Sequence, residues 1–152
     1  MDGKLGDKRP GRLRSERGAA AVEFALVMLP VVVLLFGLIQ YGMYFWAMQG
    51  GSDIARSAAR LSSVGKPTSC SDFQAAVGSD IKSLSGTTVA IQRSYDKQSA
   101  SAVQVGDTVR VTVKFRSVNL HFPFIPLVQD GMVTSTAESR VDFVPSQPEA
   151  CS

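Results

Sequence analysis

The sequence predicts an α+β fold with a long N-terminal helix, a short second helix and a small antiparallel sheet of about three strands. Three observations predict it. Residues 24–48 carry no charged side chain, residues 73–84 show apolar positions at three-to-four spacing, and the chain beyond residue 88 alternates apolar with polar residues. A helix over residues 24–48 extends ~37 Å, more than the ~30 Å hydrocarbon core of a bilayer. The first helix is therefore long enough to span a membrane.

Charge predicts how this helix is oriented. Residues 1–18 hold six basic and three acidic side chains, whereas the rest of the chain has ten of each. Because positive charge collects on the cytoplasmic side of a span, we expect a cytoplasmic N-terminus and an exported C-terminal region. The net charge of +3 then arises from the basic leader and not from a basic face, so no nucleic-acid partner is expected.

The far end of the apolar run predicts an interface with the bilayer and then a stalk. Four aromatic residues suit a belt at the outer interface: Tyr41, Tyr44, Phe45 and Trp46. The helix is expected to continue, with Ala47, Ile54, Ala58 and Leu61 near one face and Gly51, Ala55 and Ala59 beside it. A cleaved secretory signal is disfavoured, because its apolar region is shorter and ends in a small-x-small site.

Beyond a breaker cluster at residues 65–71, the sequence predicts the remaining elements. Ser71 is a candidate N-cap for a second helix over residues 72–84. Strands are expected over residues 88–95, 107–118 and 132–143. In the second strand the residues predicted to face inward are Val109, Val111, Val113 and Phe115.

Two further features leave alternatives open. The apolar stretch His121–Val128 contains two prolines, which forbid a regular central strand, so it either folds back on the core, the favoured interpretation, or contacts another subunit. Cys70 and Cys151 are the only cysteines. In an exported domain an even pair favours a disulfide, and two unpaired thiols are the alternative.

Glu23 places a carboxylate at the start of the apolar run, where burial in a bilayer costs about 2.5–3.5 kcal/mol on insertion scales. One explanation is an acid at headgroup level, favoured by the helix dipole by about 0.3–1 kcal/mol. The residues around Glu23 favour a different explanation for its position. Gly18 lies five positions before Glu23, Phe24 follows it, and the basic leader precedes both.

This segment resembles the precursor segment of type IV pilins, which a prepilin peptidase cuts on the cytoplasmic side. In that resemblance the scissile bond joins Gly18 to Ala19, and Ala19 becomes the new N-terminus. Its α-amino group, with a reference pKa of ~7.7–8.0, would be partly cationic and could pair with Glu23 of the same or a neighbouring subunit. An unpaired Glu23 would then penalise wrong helix registers.

Residues 17–42 look like the N-terminal signature of the TadE-like family, minor pseudopilins of the tight adherence (Flp) pilus system. Pro30 fits the family pattern and should kink the helix. Gln40 departs from it, since Glu is frequent at that position. A neutral amide costs less to bury and can still hydrogen-bond between helices. Glu23, Pro30 and Gln40 are therefore the predicted assembly residues.

The resemblance implies a domain order. Residues 1–18 form a removable leader, 19–48 the transmembrane helix, 49–64 its extracytoplasmic continuation and 65–152 a pilin-like head. The protein is then expected in the inner membrane or pilus, as a single-pass protein with a periplasmic or extracellular head. The implied partners are the prepilin peptidase, other pilins and pseudopilins, the assembly platform and the lipid bilayer.

Catalytic and cofactor motifs are missing from the sequence. There is no P-loop, Gly-x-Ser-x-Gly or His-Glu-x-x-His segment, and a single histidine cannot build a multi-histidine metal site. We therefore expect neither an enzyme nor a cofactor nor a small-molecule substrate. The alternative to a pseudopilin is an unprocessed membrane-anchored binding module, whose head recognises an envelope partner or ligand through the stretch His121–Val128.

Overall fold

A computed structural model describes residues 12–98, 102–144 and 148–152, and only the backbone of residues 12–17. Residues 1–11 of the predicted leader lie outside the described residues. The elements are α1 (Arg12–Ser63), α2 (Cys70–Ser83), β1 (Thr87–Asp96), β2 (Thr108–Arg116), a short 3₁₀ turn (Val128–Gly131) and β3 (Met132–Arg140). This order confirms the predicted α+β class with a long first helix, a second helix and a three-stranded antiparallel sheet.

Helix α1 has 52 residues and serves two environments. Residues 24–48 of this helix carry no charged side chain on any face, and its most apolar 18-residue window is entirely unburied within the protein. Among the described residues, this is the one helix long and apolar enough to cross a membrane. The C-terminal half packs on the sheet. Helix α1 is therefore both a candidate span and a structural part of the head.

The sheet has the order β1–β2–β3, and both pairings are antiparallel. The alternation predicted for β2 is confirmed, because Val109, Val111, Val113 and Phe115 are each fully buried. Residues of the opposite parity, including Arg110 and Arg116, face solvent. One sheet face is thus the core of the head, covered by the two helices.

Small side chains on α1 let the helix approach this core closely. Ala55, Ala58 and Ala59 are buried, as predicted, but Leu61 is half exposed, so its predicted place on that face is wrong. The helix turns Ser62 inward instead. Gly51 marks a tight contact with the sheet, since an added Cβ would lie 2.7 Å from Cε1 of Phe115. A side chain at this position would have to displace a fully buried ring.

Helix α2 begins earlier than the sequence predicts. Its N-cap is Ser69, not Ser71, because the extended backbone of Ser69 lets its hydroxyl accept a hydrogen bond from the Asp72 amide at 3.2 Å. The predicted three-to-four periodicity is nevertheless confirmed, since Phe73, Val77 and Ile81 are buried.

A C-terminal clasp, made by Arg93, Cys70, Glu149 and Cys151, closes the side of the head at β1. The Arg93 guanidinium is fully buried and donates hydrogen bonds to the carbonyls of Glu149 (2.9 Å), Pro67 (2.6 Å) and Thr68 (3.1 Å). Its Cζ lies 4.4 Å from the centroid of the Phe73 ring. Burial lowers the pKa of Arg93, while the charges of Tyr95 and Glu149 act in the opposite direction.

Backbone and covalent bonds complete the clasp. Arg93 and Cys151 exchange two backbone hydrogen bonds, of 2.9 and 2.7 Å, so the segment around Cys151 covers part of the free edge of β1. Cys151 also forms a disulfide with Cys70, and the two Cα atoms are 5.5 Å apart. The Glu149 carboxylate accepts a hydrogen bond from the Cys70 amide at the start of α2, where the helix dipole favours negative charge.

Candidate assembly site on the N-terminal helix

The predicted processing residues lie together on an open stretch of α1. Gly18, Ala19, Glu23 and Phe24 are all exposed, and an added Cβ at Gly18 would meet no atom within 4 Å. The bond between Gly18 and Ala19 lies within the continuous helix. Glycine favours local unwinding there, since it costs a helix about 1 kcal/mol relative to alanine.

Glu23 has no electrostatic partner in the part of its own chain that the structure describes. Ion pairs join Asp53 to Arg56 on the C-terminal half of α1 and Arg110 to Glu138 in the sheet, both far from Glu23 along the chain. The neighbours of Glu23 along the helix are exposed apolar side chains such as Phe24 and Leu26. Glu23 is therefore a lone acid on a surface suited to lipid or to other apolar helices.

Ala19 precedes Glu23 by four residues, which is about one helical turn. Positions four apart lie on the same helix face, separated by ~6 Å along the axis. A free amino group at Ala19 would therefore lie on the same side of the helix as the carboxylate. Among the side chains that the structure describes, no cation pairs with this carboxylate.

Pro30 lies inside α1, within the exposed apolar region. Its ring nitrogen cannot donate the hydrogen bond that the carbonyl of Leu26 would otherwise accept. Helix α1 nevertheless continues without interruption from Arg12 to Ser63.

Gln40 is separated from the processing residues and faces the head. Its side chain is 1 % exposed. Its Nε2 donates to the carbonyl of Val118 at 3.0 Å, and its Oε1 accepts from the amide of Leu120 at 2.9 Å. The amide thus holds the chain just after β2 against α1, whereas we expected it to bond between helices.

Two further contacts fasten the same region, here called the proline loop (residues 118–128), to α1. The rings of Phe36 and Phe122 stack with centroids 4.6 Å apart and an interplanar angle of 7°. The Tyr41 hydroxyl donates to the carbonyl of Pro126 at 2.8 Å. Neither contact was predicted from the sequence, in which a charge-free loop rich in aromatic and proline residues was the available signal.

These contacts change the interpretation of the aromatic belt. Phe45 and Trp46 are exposed, as a belt requires, but Tyr44 is buried and Tyr41 is half buried against the proline loop. The favoured interpretation of the loop as part of the core holds only in part. Leu127 packs on the core, and Phe122 packs on α1, yet Phe124 is 91 % exposed.

Replacing Gln40 by leucine should detach the proline loop locally. Leucine has a similar size but cannot pair with the Val118 carbonyl or the Leu120 amide, and each unpaired buried group costs about 1–3 kcal/mol. We expect hydrogen exchange of the Leu120 amide to accelerate by about tenfold or more. The matched control is Gln49→Leu, at an exposed position of the same helix. Unchanged protection of Leu120 in the Gln40 variant would contradict this role.

Comparison with known proteins agrees with the helix signature. The family model described as TadE-like protein matches residues 18–60, which covers the predicted processing residues, the apolar helix and most of its packing against the head. No curated protein and no solved structure matches the chain. The match confirms the resemblance to the TadE-like family and indicates involvement in tight adherence (Flp) pilus systems, with pilus components as partners in general.

Proposed function

We propose, from the TadE-like match of residues 18–60, that this chain is a minor pseudopilin that acts in assembly of a Flp-type pilus. It would be inserted in the inner membrane with a cytoplasmic leader, cut by a prepilin peptidase between Gly18 and Ala19, and brought to the assembly platform. The mature helix would then pack beside the helices of other pilins or pseudopilins.

The observation that carries this proposal is the lone Glu23 carboxylate on an exposed apolar helix, five residues after Gly18. A carboxylate in a low-dielectric environment requires a cation close by. Arg17 and the rest of the basic leader precede the cut, so cleavage removes them from the mature chain. The α-amino group of Ala19, on this chain or on a neighbour, is the cation that cleavage supplies.

Pairing between subunits would make Glu23 a residue that sets the register between packed helices. When helices pack side by side with a stagger, the Ala19 amine of one subunit meets Glu23 of the next in one register only. Other registers leave both charges unpaired in an apolar environment, which costs several kcal/mol. Apolar packing then supplies contact area and the charge pair supplies specificity.

Blocking the cut is the direct test of processing. We expect the wild-type protein, extracted from membranes, to have the intact mass of a chain that begins at Ala19. Gly18→Val should remain full length, because a branched side chain replaces glycine at the scissile bond. The open surroundings of Gly18 leave room for valine, so insertion and the head should be unchanged.

The control is Gly42→Val, since Gly42 is also exposed on α1 with no atom near an added Cβ. This variant should be cut like the wild type. A full-length wild-type product with residues 1–18 intact would remove the pseudopilin proposal and leave the unprocessed membrane-anchored binding module.

A further inference from the structure

The proline loop exposes an unusual amount of apolar surface for a part of the head. Phe124 is 91 %, Val128 50 % and Leu120 40 % exposed. No Asp, Glu, Lys or Arg occurs between Arg116 and Asp130. An exposed apolar patch without charge, flanked by charged residues, is typical of a surface that contacts another apolar phase.

This patch lies beside α1 at a defined position along the helix axis. The loop contacts the helix through Phe36, Gln40 and Tyr41, which belong to its apolar half. The other end of the head lies farther along the helix, where the amides of Asp142 and Phe143 donate to the carbonyl of Ser63. The proline loop is thus the part of the head nearest to the candidate span.

The rise per residue of the helix gives the depth of these loop contacts in a bilayer. If the Glu23 carboxylate lies at the cytoplasmic edge of the hydrocarbon, Phe36 is ~20 Å and Tyr41 ~27 Å farther along the axis. The hydrocarbon core is ~30 Å thick. The loop contacts then fall within the outer ~3–10 Å of the core, a depth similar to the ~5–10 Å reached by interfacial membrane elements.

The backbone of the loop is adapted to such a depth. Irregular backbone tolerates hydrocarbon only where protein groups satisfy its polar atoms. Gln40 satisfies one carbonyl and one amide of the loop, and Tyr41 satisfies another carbonyl. Pro123 and Pro126 have no amide hydrogen to satisfy. The amide of His121 donates to Oδ1 of Asn119 at 2.8 Å.

We propose that the proline loop inserts into the outer leaflet of the bilayer that α1 crosses, with Phe124 among the acyl chains of the phospholipids. The head is then held to the membrane at two points, the helix and the loop. The inference requires that α1 spans the bilayer, but it does not depend on cleavage at Gly18. It can therefore fail or succeed independently of the pseudopilin proposal.

The test measures the depth of residue 124 in the uncleaved full-length protein. Trp46, the only tryptophan, is first replaced by phenylalanine, and Phe124→Trp is added in that background. The protein is reconstituted in phosphatidylcholine vesicles with or without bromine on the acyl chains. Because Phe124 is almost fully exposed, the substitution leaves the core of the head intact. We expect a blue-shifted emission and a several-fold loss of intensity in brominated vesicles.

The matched control is Val105→Trp in the same background. Val105 is also apolar and exposed, but it precedes β2, whereas the proline loop follows it, so the two sites lie at opposite ends of the strand. Its emission should be unaffected by bromine and quenched by aqueous iodide. Either orientation of the reconstituted protein places the loop against a leaflet, and the iodide is present on both sides of the vesicle membrane, so mixed orientations do not blur the result.

Two results would overturn the proposal. In the first, the Phe124→Trp protein emits equally in both kinds of vesicle and is quenched by iodide, which places the loop in water. In the second, it is protected from iodide and also unaffected by bromine, which means that a second copy of the chain covers the loop. Quenching by brominated lipid at position 124 and not at position 105 supports insertion.

Discussion

A Glu23→Ala protein should insert into the membrane normally, and a host that carries it in place of the wild type should lack surface pili. The substitution removes an exposed carboxylate that forms no ion pair with any described residue, so the head and the helix should fold unchanged. Insertion should if anything improve, because the span loses its only acid. Assembly should fail, since the Ala19 amine would enter the helix contact unpaired, at a cost of about 3–5 kcal/mol. That corresponds to a loss of more than about 100-fold in the association constant.

The measurement is a count of pili by electron microscopy, with intact mass of the same membranes to separate failed assembly from failed cleavage. The control is Val27→Ala, one turn further along the same face of α1 and also exposed. It shortens an apolar side chain without removing a charge, so piliation should persist. Normal piliation with Glu23→Ala would contradict charge pairing.

The second large effect is expected in the head, where Arg93→Ala should lower the free energy of unfolding by about 3–5 kcal/mol. The substitution leaves the carbonyls of Glu149, Pro67 and Thr68 without the donor they share. It also opens a cavity beside the ring of Phe73. The remaining clasp would depend on the disulfide and the backbone bridge at Cys151, so we also expect faster reduction of the disulfide.

Chemical denaturation of the oxidised protein in detergent, followed by near-ultraviolet circular dichroism, measures this loss. Arg110→Ala is the matched control on the neighbouring strand. Arg110 binds Glu138 at 2.7 Å, but both side chains are about half exposed, and such surface pairs contribute about 0–1 kcal/mol. Equal losses in the two variants would show that the buried guanidinium adds no more than a surface pair.

The elements of the fold could be predicted because each has a local signature. The charge-free run, the three-to-four spacing of α2 and the strict alternation of β2 all follow from short-range periodicity. Errors at this level were small. The N-cap moved from Ser71 to Ser69 because two serines at the same breaker compete for the same role, and the spacing of apolar residues does not distinguish them.

The contacts between distant parts of the chain were not predictable in the same way. Gln40 and Leu120 are 80 positions apart, and neither lies in a sequence pattern that identifies the other as its hydrogen-bond partner. Arg93 is a different case. It lies two residues after Ile91 in β1, so its side chain is on the same sheet face as Ile91, which indicates an inward position. A buried arginine, however, is acceptable only when hydrogen-bond acceptors surround it. Those acceptors come from the α1–α2 connection and from the C-terminal clasp.

Helix α1 continues from the candidate membrane span into the core of the head, so the rotation of one about the helix axis sets the rotation of the other. Each residue of a helix turns the chain by about 100°, so the face that bears Glu23 and the face that bears Gln40 differ by roughly 100° in azimuth. Because α1 is continuous from Arg12 to Ser63, the orientation of the head around a filament axis would, in the proposed assembly, follow from the face that Glu23 presents to its neighbour. One residue inserted between positions 24 and 39 would swing the head by another ~100° while moving it outward by only ~1.5 Å. The direction in which the N-terminal half of the helix makes its contacts would thus determine the direction in which the exposed surface of the head faces.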